Sequence, residues 1–584
     1  MRQRLNLSVT IAVLCMLLVS GTLFNQTSRA ASGPTLSVDL RAARHPISQD
    51  VYGITFWWTD NGSTKDRNER NEQIDFAKAI GLPVNRSGGD ATTRYNWQLD
   101  STNAGSDWFY IGGGNTNPTP GAGNDVIIDT NKTIGAKTVM TVPIIDFINK
   151  SKEWVCSFPK SIYSEQQSYN PYVHPIINGQ LTDCGNGIKP DGTELIDTHV
   201  SDHDMPNSPD FQKGWIQHLV QKYGTTSAGG VQVYQLDNEP SGWLAVHRDV
   251  HPQGVGYTEL RDRTVDYAAA IKSVDPAAKT LGPGDIPYAY LGCNNCGNDG
   301  AAAHNNTQLG EWYLQQMAQY EKDHGVRILD YYAMHYPGCC GENLIGRAQE
   351  RIDIFRGWIA KDYPGTKLAF DEYNWGDAKD FTNALLTADG LGLFGREQAD
   401  LASYWGLDDV SWPTAYAFRM YRNYDGNGGR FGTTSVQATS ADATKLPIYA
   451  AQRSDGALTL MVINKTAEDQ TSAVALAGLT TAASEAAVYR YSQDDVTTIA
   501  HLANLPLSAN GFTTTFPANS MTMIVIPGSG DDATATPTNS PTPTNSPTPT
   551  ACPTSTAVPT AELTPITDEI RRYLPLLLRG VGDC

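Results

Sequence analysis

Two short segments of the chain each close an apolar run with a glutamate beside an amide or aromatic rings. They are Gln235-Leu236-Asp237-Asn238-Glu239-Pro240 and Phe370-Asp371-Glu372-Tyr373-Asn374-Trp375. Two carboxyl groups flanking an acetal are what cleavage of a glycosidic bond requires: one protonates the leaving oxygen, and the other attacks the sugar or activates water. A single loop glutamate is ordinarily solvated or paired with arginine, whereas two at facing strand ends form a reactive constellation. Asp237 and Asp371 precede them by two residues and one. Neighbours on a strand point to opposite sides, so Asp371 is expected to face away from Glu372, and Asp237 likewise is expected not to share the glutamates' direction.

The glutamates can meet only if the strands bearing them do. From Val51 to Trp405 short apolar runs alternate with helical patterns. The expected strands are Val51–Phe56, Leu82–Arg86, Thr138–Pro143, Val231–Leu236, Thr280–Gly282, Leu329–Tyr336, Leu368–Glu372 and Leu401–Trp405. Between them, Trp215, Ile216, Leu219, Val220 and Tyr223, and then Trp312, Tyr313, Met317 and Tyr320, are spaced to make one apolar stripe per helix. Eight alternations predict an α/β fold, a (β/α)8 TIM barrel with long loop insertions. The alternative is a doubly wound open sheet. In the barrel, strand C-terminal ends converge on one face, and strands four and seven stand opposite each other across its mouth.

After Arg430 the pattern changes to short alternating segments, Ile448–Arg453, Leu458–Asn464, Ala487–Tyr491 and Met521–Ile526, with Ser454-Asp455-Gly456 as a hairpin turn. This predicts a second, smaller β-sandwich domain, which Leu36–Leu40 crosses over to complete. The expected organisation is a signal peptide at residues 1–30, a segment joining the sandwich at 31–50, the barrel at 51–430, the sandwich at 431–527, a Pro/Thr/Ser-rich linker at 528–563 and a short tail at 564–584. Arg2 and Arg4 before the apolar run Leu7–Phe24, then Ser28-Arg29-Ala30, mark an export signal cleaved after Ala30. The mature chain is therefore expected to be secreted. Nine cysteines fall to eight when Cys15 leaves with the signal, an even number that favours disulfides over metal in an oxidising compartment. No other stretch is apolar and long enough to span a membrane. The tail segment Tyr573-Leu574-Pro575-Leu576-Leu577-Leu578 suggests cell-surface association.

Composition narrows the ligand. Of 584 residues, 62 are acidic and 43 basic, a formal charge of -19, which argues against nucleic acid or an anionic membrane as partner. Twelve tryptophans and 27 tyrosines suit stacking on a neutral ligand.

Four segments occur in the order found in one known family. They are Gly88-Gly89-Asp90-Ala91-Thr92-Thr93-Arg94-Tyr95-Asn96-Trp97-Gln98; Leu236-Asp237-Asn238-Glu239-Pro240 with His247-Arg248-Asp249-Val250-His251-Pro252; Glu372-Tyr373-Asn374; and Met420-Tyr421-Arg422-Asn423-Tyr424-Asp425-Gly426 with Arg430-Phe431-Gly432. Together they resemble glycoside hydrolase family 44 over roughly residues 35–527. The resemblance implies a retaining endo-β-1,4-glucanase, with Glu239 as general acid/base and Glu372 as nucleophile. It implies that Asn238 binds the 2-hydroxyl of the reacting sugar, and that Arg86, His335 and Tyr336 orient the nucleophile. Trp97, Trp375 and Trp405, with Trp57 and Trp243, are candidates for stacking on glucosyl rings. The chain departs from the family pattern at Asp90, where asparagine is usual, and at Ser87, where a bulky aromatic is usual.

A metal-dependent hydrolase is the rival chemistry, suggested by His199, Asp202, His203 and Asp204, or by His247, Asp249 and His251. Neither set has the helical i, i+4 spacing of a persuasive metal motif, so both are expected to be polar loop residues. A non-catalytic polysaccharide-binding protein is the rival class. The expected substrate is a β-glucan polysaccharide of cellulose or xyloglucan type, with xylan or mannan behind it. No cofactor is expected to be required, a structural calcium fits the acidic loops without a nameable ligand set, and a monomer is expected.

Overall fold

A computed structural model of the chain describes residues 31–58, 64–114, 118–171, 181–286, 296–338, 343–480 and 483–528. The signal peptide, most of the linker, the tail, and Cys293, Cys339, Cys340, Cys552 and Cys584 lie outside the described residues.

Eight parallel strands close into the expected barrel: β1 (Gly53–Ile54), β2 (Val84–Ser87), β3 (Lys137–Val142), β4 (Val233–Leu236), β5 (Lys279–Asp285), β6 (Tyr331–Met334), β7 (Lys367–Tyr373) and β8 (Leu401–Tyr404). A helix follows each: α1 (Thr64–Ile80), α2 (Ala122–Ile134), α3 (Pro209–Tyr223), α4 (Tyr257–Val274), α5 (Leu309–His324), α6 (Leu344–Asp362), α7 (Phe381–Arg396) and α8 (Pro413–Arg422). The helices form for local reasons. In α3, the Ser208 hydroxyl accepts from the Phe211 amide, Pro209 opens the first turn and Gly224 at φ 85° ends it. Gln212, Trp215, Ile216 and Leu219 then bury one stripe.

Inside the barrel, Val84, Val139, Val233, Leu281, Tyr331, Ala333, Ala369 and Leu401 form a separate buried layer. Stepping two residues onward along the strands from Val84, Val233, Ala333 and Ala369 reaches Arg86, Gln235, His335 and Asp371, so strand alternation alone directs these four inward. A polar layer therefore caps an apolar one on the C-terminal side, where barrel enzymes place their chemistry. The loops after β2 and β3 grow into an insertion there: strands Ser101–Asn103, Ile111–Gly114 and Val155–Cys156 pair antiparallel, and a Cys156–Cys184 disulfide ties the insertion together.

Beyond the barrel, β9 (Thr434–Ser440), β10 (Ile448–Gln452), β11 (Leu458–Asn464), β12 (Gln470–Ala477), β13 (Glu485–Ser492), β14 (Asp495–Pro506), β15 (Gly511–Phe516) and β16 (Ser520–Ile526) build a sheet-rich second unit around its own core. An N-terminal strand, Leu36–Asp39, lies between β9 and β12, antiparallel to the first and parallel to the second. Side chains from β10 and from the residue after β11 reach α7, where Asp389 accepts from the Tyr449 hydroxyl at 2.7 Å and pairs with Lys465. The pattern reading had not placed β9, β12, β14 and β15. These strands are rich in Thr, Ser, Ala and Gln, and β14 is an edge strand with mostly exposed residues, so little apolar alternation marks them.

Candidate active site

Arg86 organises the floor of the barrel mouth. Fully buried, it donates from Nε to Gln235 at 2.8 Å, from Nη1 to the Glu372 carboxylate, and from Nη2 to Asn238 Oδ1 at 2.6 Å. Its Nε also lies 3.7 Å from Asp371. One guanidinium thus fastens residues from β2, β4 and β7. Removing one partner from a buried, hydrogen-bonded ion pair costs about 3–5 kcal/mol.

Glu372 reaches this layer through a defect in its strand. The β7–β8 register runs Ala369↔Leu401 and Phe370↔Ala402, then shifts before Tyr373↔Tyr404. The irregularity spans Asp371 and Glu372, so strict alternation fails there and both carboxyls face the interior. Asp371 sits 3.3 Å from His335 Nε2, which corrects the expectation that it points away from the site. Glu372 also accepts from the Tyr336 hydroxyl at 2.5 Å.

Glu239 arrives by a turn. After β4 the backbone adopts positive φ at Asp237 (67°) and Glu239 (45°) on either side of Asn238. Such conformations in non-glycine residues persist only where surrounding contacts over-determine them. Here the Asp237 carboxylate accepts from the amides of Ile144, Ile145 and Asn238, and the Glu239 amide donates to Gly284 at 2.9 Å. Asp237 is thereby a backbone anchor directed away from the glutamates, as expected. His335 Nδ1 lies 2.8 Å from Glu239 Oε1. A carboxylate oxygen from each glutamate and a His335 ring nitrogen all lie within 4.8 Å of one another.

The electrostatics separate the two acids' surroundings. Burial raises the Glu239 carboxyl above its ordinary range and the charge on Glu372 adds to this, while His335 and Arg86 pull the other way. Burial disfavours charge on His335, but Asp371, Glu372 and Glu239 outweigh it and push the imidazole up to about 10. Asp285 lies behind Glu239. Burial pushes it up to about 7 against its hydrogen bonds from Ser241 and the Ile286 amide.

The named residues divide cleanly. Arg86, Asn238, Glu239, His335, Tyr336 and Glu372 converge. Trp405 closes β8 beside them: a Cβ added at Gly89, whose φ is 100°, would stand 2.7 Å from its ring. Trp57 meets Trp405 edge-on at 6.3 Å, so these two tryptophans border the mouth. Trp375 is a correction. Only 5% exposed, it packs with Tyr373 and Phe394 and against Gly338 and Gly390, because the residue after the β7 end turns into the helix layer. Trp243 is likewise buried and donates to the Asn238 carbonyl at 3.2 Å, supporting the turn from behind. Trp97 belongs to the wall of α3, donating to the Phe211 carbonyl at 3.2 Å and packing on His218. Gln235 and Asp371 were not singled out as site residues, although inward alternation from Val233 and Ala369 marks both.

One acid from each histidine-acid set, Asp204 and Asp249, meets Arg94 instead of joining a helical metal motif. Arg94 pairs with Asp204 and Asp249, and His203 bridges Asp197 and Asp204 at 2.7 and 2.6 Å. Burial opposes charge on His203, but these two aspartates push it up to about 9. Among the described residues, three groups have ligand atoms close enough for a metal: His203, Asp204 and Asp249; Asp146, His251 and Glu259; and Glu239, His335 and Glu372. Each already engages an arginine, respectively Arg94, Arg263 and Arg86, that supplies the positive charge a cation would bring.

A closed parallel barrel with facing glutamates after its fourth and seventh strands, braced by a buried arginine, defines a glycoside hydrolase of the (β/α)8 type. The chain belongs to glycoside hydrolase family 44. Residues 101–337 match the model of that family. The solved structure of CelM2, described as a bifunctional glucanase-xylanase from a metagenome library, is 33% identical, with a TM-score of 0.77 over 85% of this chain and 100% of that one. Endoglucanase A of Paenibacillus lautus is 27% identical over 580 residues, covering 90% of this chain and 77% of that protein. A Paenibacillus polymyxa xyloglucanase of family 44 shares the fold, at 24% identity and a TM-score of 0.66 over 85% of this chain and 100% of that one.

Proposed function

We propose that this chain is a secreted endo-β-1,4-glucanase that cleaves internal bonds of cellulose-like glucans or xyloglucan with retention of anomeric configuration. The observation that carries the mechanism is the closeness of the two acids, whose nearest carboxylate oxygens lie within 4.8 Å. Retaining pairs stand about 5 Å apart, whereas inverting pairs need roughly 6.5–9.5 Å to admit a water molecule. Glu372, hydrogen-bonded by Arg86, attacks C1 while Glu239 gives its proton to the departing glycosidic oxygen and the C1–O bond breaks. Water then attacks C1 of the glycosyl ester, Glu239 takes the water's proton and the bond to Glu372 breaks. Once the ester forms, the charge on Glu372 is gone and Glu239 becomes easier to deprotonate, as its second role demands. The chemistry uses carboxyl groups and water, with no cofactor in any step. In this reading Asn238, hydrogen-bonded to Arg86, binds the 2-hydroxyl, and Trp57 and Trp405 stack on sugar rings.

The choice of backbone rests on relatives named as endoglucanase, xyloglucanase, glucanase-xylanase and, for a Caldicellulosiruptor saccharolyticus protein 26% identical over 499 residues, beta-mannanase/endoglucanase. This chain spans 34% of that last protein. Secretion is supported by the N-terminal export pattern and by the Cys156–Cys184 disulfide. Assay of new reducing ends on barley glucan, carboxymethylcellulose, xyloglucan, xylan and mannan tests the reading. Hydrolysis of barley glucan or xyloglucan at least about tenfold above xylan and mannan is expected, a gap of roughly 1.4 kcal/mol in transition-state binding. A preference for xylan or mannan would replace the assigned substrate.

A further inference from the structure

The loop that follows β2 carries a carboxyl group directly onto the assigned sugar-binding amide. Asp90 Oδ1 accepts a hydrogen bond from Asn238 Nδ2 at 2.8 Å. On its other side, Asn238 Oδ1 accepts from Arg86 Nη2 at 2.6 Å and from the Gly89 amide at 3.1 Å. Arginine and a backbone amide can only donate, so the Asn238 oxygen must face them and its Nδ2 must face Asp90. Consecutive residues Gly89 and Asp90 thus clamp it from both ends. Gly89 is required at φ 100° because a Cβ there would press on Trp405, so the clamp and the aromatic border share one tight turn.

Asp90 has a second acidic partner. Asp107, from the insertion after β2, bears the charge that weighs most on it. Burial, then the charges on Asp107, Glu239 and Glu372, hold Asp90 well above the ordinary carboxylate range, and Asp107 is raised as well. The other groups that face Asp90 are the Tyr336 hydroxyl from the end of β6, the His247 ring at its backbone, and Arg86 acting through Asn238.

We infer that Asp90 is a positioning residue that fixes the Asn238 amide toward the reacting sugar. This inference rests on the roles proposed above for Glu239 and Glu372.

Two substitutions test the positioning. Asp90→Ala removes the acceptor, and is expected to lower kcat on soluble glucan about tenfold while KM changes less than about twofold, because the amide contact tightens in the transition state. Asp90→Asn keeps an acceptor oxygen but does not titrate. It is expected to restore part of the lost kcat. Circular dichroism melts establish that both variants are folded. An Asp90→Ala protein with unchanged kcat overturns the positioning role, and so does an Asp90→Asn protein no more active than Asp90→Ala. If Glu372→Ala or Glu239→Gln is fully active, the underlying reading fails instead. If both are impaired and the Asp90 variants behave like the unchanged protein, only the role of Asp90 is lost.

Discussion

Glu372→Ala lowers turnover of soluble glucan by about 10⁴-fold or more without unfolding the protein. The size of the loss follows from the role: with no side chain to form the glycosyl ester, the two-step route is closed and only slow direct attack by water remains. The expectation that the fold survives comes from the neighbours. Arg86 keeps hydrogen bonds to Gln235 and Asn238 and remains 3.7 Å from Asp371, so its charge is not left uncompensated when Glu372 is removed. Steady-state release of reducing ends, measured beside a circular dichroism melt, checks both halves. Activity within tenfold of the unchanged protein would exclude Glu372 as nucleophile.

Glu239→Gln gives a loss that depends on the leaving group. On glucan, where the departing hydroxyl is strongly basic, removal of the acid lowers kcat/KM by about 10³-fold, within the range usual for general acid catalysis. On an aryl cellobioside whose phenol leaves as a stable anion, no proton is needed in the first step, so Glu372 is still glycosylated rapidly. The second step lacks its base. Phenol release should therefore show a burst of about one equivalent per enzyme followed by slow turnover. Burial and Glu372 raise Glu239 in the unchanged protein, so its alkaline limb marks the loss of that proton and should disappear from the burst rate of the variant. Equal losses on glucan and aryl substrate, without a burst, would remove Glu239 from the acid/base role.

The barrel was legible in the sequence because each of its strands is a short apolar run bounded by helical periodicity. Both glutamates were legible because they close two of those runs. Geometry at the ends of the runs was harder to read. Alternation predicts an inward Asp371 or an inward Glu372, but not both, and only the register shift between Phe370 and Tyr373 supplies the pair. Likewise the positive φ values of Asp237 and Glu239 carry no glycine signal, since contacts with Ile144, Ile145 and Gly284 impose them. Tryptophan roles were the least legible. Trp375 and Trp405 both follow a strand end, yet one enters the core and the other borders the mouth, a difference set by the neighbouring Gly338, Gly390 and Gly89 rather than by the tryptophans themselves.

Proton NMR of the hydrolysis mixture, recorded in the first minutes before mutarotation, tests most directly whether Glu239 and Glu372 act as a double-displacement pair. The account predicts that the β-anomeric signal of the new reducing end appears first and the α signal grows in only later. An α signal at the outset would mean direct displacement by water, and the assignment of Glu372 as nucleophile would be wrong.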